Sequence, residues 1–171
     1  MLNPLELIQT FLESGGQVLW VILIATFVLW ALIVERFLFI KFNFPEIVKD
    51  LSRSWNQRSE YISWSSHRIR EATISKVDQS LNQFLGTIKA LVALCPLLGL
   101  LGTVTGMINV FDVMAAVGNG NTRSMASGIS MATIPTMAGM VASISGIYFS
   151  SVLEKKVKLC RENLSEILSI E

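Results

Sequence analysis

Charge is scarce in this chain, and histidine almost absent. Of 171 residues, 16% are charged and 51% hydrophobic, whereas soluble domains average about 25% charged. No Asp, Glu, Lys, Arg or His occurs from Ala90 to Phe111, or from Ser124 to Leu153. His67, the sole histidine, sits in a basic, polar stretch without an acidic or cysteine cluster, so no metal site is expected there. The two cysteines, Cys95 and Cys160, are too few for a disulfide scaffold and read as reduced thiols. No nucleophile–His–carboxylate arrangement and no phosphate loop is present, and Gly99-Leu100-Leu101-Gly102 lies inside an apolar run. An enzyme is therefore not expected, nor a cofactor. The net charge of +1 says nothing about partners, and no nucleic-acid partner is expected.

What the chain does hold is apolar length. A helix needs about 20 apolar residues to cross a bilayer. Ala90–Phe111 and Ser124–Leu153 both suffice, and Val18–Val34 is a shorter third run. The expected fold is an all-α integral membrane protein with three transmembrane helices, at 18–40, 87–114 and 128–153. Residues 41–86 form a helical region between the first two. Pro45 suits the first turn of one helix there, and Ile62, Ile69, Val77 and Leu81 mark a second that runs on toward the second span without a break signal. Gly118-Asn119-Gly120-Asn121 marks a turn within the 115–127 loop. The tail 154–171 keeps helical spacing at Val157, Cys160, Leu164 and Ile167 and continues the third helix. Residues 1–17 hold a short amphipathic helix, with Leu5, Ile8, Phe11 and Leu12 on one face.

Lysine and arginine set the orientation. Residues 1–17 have none and the 115–127 loop has only Arg123; the remaining 13 of the 14 lie at Arg36, within 41–89 or in the tail. The positive-inside rule then puts the N-terminus outside, and residues 41–86 and the C-terminus in the cytoplasm. Glu35 and Arg36 end the first span. They read as an interfacial anchor with Arg36 reaching toward lipid headgroups, or else as a functional ion pair.

The long spans are unlike plain lipid anchors. Gly99, Gly102 and Gly106 recur along the second. Gly128, Ala132, Thr136, Gly139, Ser143, Gly146 and Ser150 recur along the third at steps of three or four. Small residues on one face let helix backbones approach closely; the same face can line a narrow polar path. Thr103, Thr105, Thr133 and Thr136 bring hydroxyls to mid-span, where threonine commonly bonds a carbonyl of its own helix. Pro96 and Pro135 each remove a backbone hydrogen bond, and Thr136 can satisfy a freed carbonyl. A hydroxyl passes a proton along but holds no charge near neutral pH. If protons cross here, the titrating group has to come from another chain.

The run Ala93-Leu94-Cys95-Pro96-Leu97-Leu98-Gly99-Leu100-Leu101-Gly102-Thr103-Val104-Thr105-Gly106-Met107-Ile108, with Gly128-Ile129-Ser130-Met131-Ala132-Thr133-Ile134-Pro135-Thr136-Met137-Ala138-Gly139-Met140, resembles the MotA/TolQ/ExbB proton channel family, nearest to its short ExbB-type subunits. The resemblance implies a homopentamer in the bacterial inner membrane, periplasmic N-terminus, with long second and third helices extending into the cytoplasm. It implies an ExbD-like single-span partner whose membrane aspartate carries the proton, and a TonB-like protein that receives the work for iron-siderophore-type uptake. It makes Thr103 and Thr136 pore-lining residues, with Gly99, Gly102, Gly106, Ala132, Gly139 and Ser143 packing the helices. A TolQ-like or stator-like subunit serving another load, or a non-conducting scaffold, are the alternatives. One departure stands out: Met131 occupies a position where better-known relatives carry glutamate.

Overall fold

The computed structural model describes residues 15–56, 64–117 and 122–167. The amphipathic segment expected before residue 15 and the Gly118–Asn121 turn lie outside them. The described residues are helical throughout. They form α1 (Gly16–Leu38), a π-helical turn (Phe39–Asn43), α2 (Phe44–Asn56), α3 (Trp64–Asn82), α4 (Leu85–Val117) and α5 (Thr122–Ile167). Three helical stretches among the described residues, Gly16–Arg53, Arg68–Ala116 and Ala126–Ile167, are long and apolar enough to cross a membrane.

Two compact units are distinguished. One comprises Met1–Trp30 with Lys89–Ile147, the other Ala31–Ile88 with Tyr148–Glu171.

In the first unit the buried positions follow one stripe per helix. Leu19, Ile22 and Leu29 do so on α1; Val92, Cys95, Gly99, Gly102, Gly106 and Val110 on α4; Ala132, Pro135, Gly139, Ala142 and Gly146 on α5. The alternation of three and four is the spacing that keeps one helix face toward its neighbour. The opposite faces are apolar as well: Phe27, Leu97, Val141 and Ile144 are all more than half exposed. A continuous apolar exterior of this kind is untenable in water and suits lipid.

In the second unit Leu153, Val157 and Leu164 continue the α5 stripe, beside the buried Val77, Leu81, Leu85 and Ile88. α5 runs unbroken for 46 residues, through Pro135. At 1.5 Å per residue this is roughly 69 Å, about twice the hydrocarbon thickness of a bilayer. One sequence expectation is corrected here. α3 does not run on into α4: it ends at Asn82, and Phe84 takes a left-handed conformation with φ of 64° before α4 begins. Bulky residues adopt that conformation only when their surroundings impose it.

Candidate functional site

The site begins with what the two prolines remove. Pro96 has no N–H, so the Val92 carbonyl one turn earlier loses its helical donor. Ser143 on α5 supplies one, its Oγ donating to Val92 O at 3.1 Å in a buried setting. Leaving such a carbonyl unpaired would cost about 1–3 kcal/mol.

One turn back along α5, Gly139 passes so close to α4 that a Cβ there would stand 2.5 Å from the Cys95 carbonyl oxygen. Next comes Thr136, whose Oγ1 donates across the seam to Gly99 O at 3.1 Å. A Cβ on Gly99 would lie 2.9 Å from the Thr136 Cα. Gly102 then faces the Pro135 ring, Gly106 faces Ala132 at 2.6 Å, and Gly128 faces Val110. Ascending α4 thus descends α5: the two helices pack antiparallel, backbone nearly on backbone. Gly146 closes the series where Val92 of α4 and Leu29 of α1 meet it.

All six residues expected from the sequence to pack helices are therefore brought together on one seam. The signal that carried them was small side chains at helical spacing. What spacing did not reveal was the partner of each hydroxyl.

Most hydroxyls stay within their own helix. Thr103 Oγ1 donates to Leu100 O at 2.7 Å, and Thr105 Oγ1 lies 3.0 Å from Gly102 O and 3.1 Å from Leu101 O. Thr133 donates to Ser130 O, and Ser145 to Ala142 O. Thr136 differs in crossing to α4. Thr103 and Thr136, from different helices, so end on consecutive carbonyls, Leu100 and Gly99. Each has committed its hydrogen, and its oxygen lone pairs remain to accept. No Asp, Glu, Lys, Arg or His lies in either apolar run to compete for them.

A crevice of about 490 Å³ opens beside this seam, lined by Gln17, Thr105, Asn109 and Met131 among others. Gln17 and Asn109 escaped sequence reasoning because each is a lone amide near the end of an apolar run. An apolar groove of about 780 Å³ lies between α1 and α5, with Trp30, Met137 and Val141 in its walls. Among the described residues no cluster of His, Cys, Asp or Glu is arranged to hold a metal.

In the second unit, Arg36 is turned into the protein rather than out toward headgroups. Its side chain is only 2% exposed, while Glu35, 3.3 Å from its Nε, is half exposed. The guanidinium lies 5.1 Å from the Phe39 ring centre and 5.0 Å from that of Phe84, and Nη1 donates to Ser80 O at 3.1 Å. Other cations tie the unit together: Lys156 lies 3.9 Å from the Phe37 ring, Arg161 pairs with Asp78 at 3.7 Å, and Arg70 donates to Ser165 O.

The chain is similar to known proteins. Residues 44–166 match the model of the MotA/TolQ/ExbB proton channel family. The chain is 40% identical over 86 residues to a putative biopolymer transport protein, ExbB-like 1, of Synechocystis, covering 48% of this chain and 34% of that protein. A Synechocystis ExbB-like 3 protein is 32% identical over 74 residues, covering 42% of this chain and 35% of its own length. The biopolymer transport protein ExbB of Salmonella typhimurium is 26% identical over 97 residues, covering 57% of this chain and 40% of its own length. The matches thus span roughly a third to two fifths of these relatives. The family match extends over most of the chain, from α2 through the α4–α5 seam: this protein belongs to the MotA/TolQ/ExbB proton channel family.

Proposed function

We propose that this chain is the wall of a two-protein proton channel in the bacterial inner membrane. In this reading it is an ExbB-type subunit that surrounds an ExbD-like single-span partner and passes work to a TonB-like protein. The observation that carries the reading is a pairing of presence and absence. Thr103 and Thr136 offer acceptor oxygens from adjacent points of the seam, yet neither apolar run has an Asp, Glu, Lys, Arg or His to take up and release a proton near neutral pH. A partner's carboxyl supplies that group. Its protonated form donates to a threonine oxygen, whereas its ionised form can only accept, and the committed hydroxyls then have no hydrogen to give. The wall therefore favours the neutral acid and eases its entry into the apolar ring.

The orientation follows lysine and arginine: N-terminus in the periplasm, α2, α3 and the end of α5 in the cytoplasm. Five copies form the ring. One proton falling through 100 mV yields about 2.3 kcal/mol, so a forceful stroke takes several. The load is a TonB-like protein serving outer-membrane uptake of iron-siderophore-type substrates.

Proton flux into vesicles tests this, with this chain alone and with a co-expressed single-span partner bearing a membrane aspartate. Flux only with the partner, lost when that aspartate is replaced by asparagine, is the expected result. Flux from this chain alone overturns the division of labour. A stable complex without flux points to a scaffold.

A further inference from the structure

The junction of α3 and α4 holds a conflict between local sequence and tertiary contact. Buried positions Val77, Leu81, Leu85, Ile88 and Val92 step by three or four straight through it, as an uninterrupted helix requires. The bent stretch Asn82-Gln83-Phe84-Leu85 contains neither proline nor glycine. Yet the helix breaks, and Phe84 is the one non-glycine residue with positive φ among those described. Glycine is the usual occupant of that position.

The contacts that hold the break converge on Arg36. In a continuous helix the Ser80 carbonyl takes the amide of Phe84, four residues on. Here α3 has stopped at Asn82, and Arg36 Nη1 donates to Ser80 O. The bent Phe84 places its ring against the same guanidinium, with Phe39 from the π-helical turn also in contact. Arg36 Nε is ion-paired with Glu35 at 3.3 Å but makes no hydrogen bond, although the guanidinium is buried. The Phe84 carbonyl opens α4 by accepting the Ile88 amide at 2.9 Å.

We propose that Arg36 latches a two-state elbow between α3 and the first turn of α4. The Arg36 guanidinium holds the joint from two sides, through the Ser80 carbonyl and through the Phe84 ring. With Arg36 engaged, Phe84 is left-handed and the joint is bent. With Arg36 withdrawn, Phe84 returns to the right-handed region and α3 continues into α4 as one helix. Arg36 is a positioning residue in this scheme, and strain of this kind is stored at switching elements.

A distance across the joint tests the proposal. Glu71 and Thr87 are exposed, and a straight helix separates them by about 24 Å along its axis, which any bend shortens. Spin labels are attached through Glu71→Cys and Thr87→Cys in the full chain in lipid, with Cys95→Ala and Cys160→Ser. The parent should give one distance shorter than the straight value. Arg36→Gln should shift much of the population to the straight value. Adding Phe84→Gly to Arg36→Gln should restore the short distance, because glycine adopts positive φ without a latch. A parent already at the straight distance, an unchanged distance in Arg36→Gln, or a shift that Phe84→Gly does not reverse overturns the proposal. The readout is independent of proton flux, so it stands apart from the channel function.

Discussion

Ser143 donates its hydroxyl hydrogen to the carbonyl of Val92, the same carbonyl that Pro96, four residues further along α4, leaves without an amide. A proline on one helix and a serine on another are thus one structural device. Replacing Ser143 with alanine should destabilise the protein by about 0.5–2 kcal/mol, since membrane hydrogen bonds average less than buried ones in water. Restoring the amide with Pro96→Ala should make that loss smaller. The check is a double-mutant cycle on unfolding in detergent: independent effects would contradict the pairing.

The glycines of the seam should sort by what a methyl group would strike. Gly139→Ala pushes a Cβ to 2.5 Å from the Cys95 carbonyl oxygen, and Gly106→Ala to 2.6 Å from Ala132. Both obstacles include backbone, so the helices have to separate, and losses of about 1–3 kcal/mol are expected, as for overpacked cores. A Cβ on Gly86 meets nothing within 4 Å. There alanine should stabilise, by up to about 1 kcal/mol of helix propensity. Thermal unfolding of the three variants side by side decides it.

Thr103 and Thr136 should separate structure from conduction. The Thr103 hydroxyl bonds within its own helix, so Thr103→Val should leave stability nearly unchanged. The Thr136 hydroxyl bridges two helices, so Thr136→Val should cost stability as well. Both should lower partner-dependent flux roughly tenfold or more, equivalent to about 1.4 kcal/mol on the barrier. Serine at either position keeps the hydroxyl and should retain most of the flux. Full flux in both valine variants, with the complex intact, would remove the threonines from the proton path.

The proposed orientation is open to direct labelling. In a cysteine-free background, Asn119→Cys should react with a membrane-impermeant thiol reagent from the periplasmic side. Lys158→Cys should react only once the membrane is opened, because the proposed orientation puts the basic residues in the cytoplasm. The reverse pattern would invert the topology.

The half-buried ion pair of Asp78 with Arg161 in the second unit should matter little. Asp78→Asn removes the partner of Arg161, which is itself well exposed. A loss of about 0–1 kcal/mol is expected, shrinking as salt is added. Unfolding at two ionic strengths checks this.

Much of this protein is legible in its sequence. Uncharged length alone marks the long spans, since burying a charge in hydrocarbon is costly whatever the fold. Small residues at steps of three and four mark Gly99, Gly102, Gly106, Ala132, Gly139 and Ser143 as one packing face before any partner is known, because helical periodicity is a local property. The tertiary structure decided the rest. Which carbonyl Thr136 or Ser143 takes depends on the register and rotation of α4 against α5, and spacing within one helix carries no record of either. The break at Phe84 runs against local preference and is held by a guanidinium from α1. Arg36 by itself reads as a headgroup anchor at the end of a span. With Phe39, Ser80 and Phe84 around it beside Glu35, burying that charge becomes tolerable, since the cation finds aromatic faces and a carbonyl as well as a carboxylate in place of water.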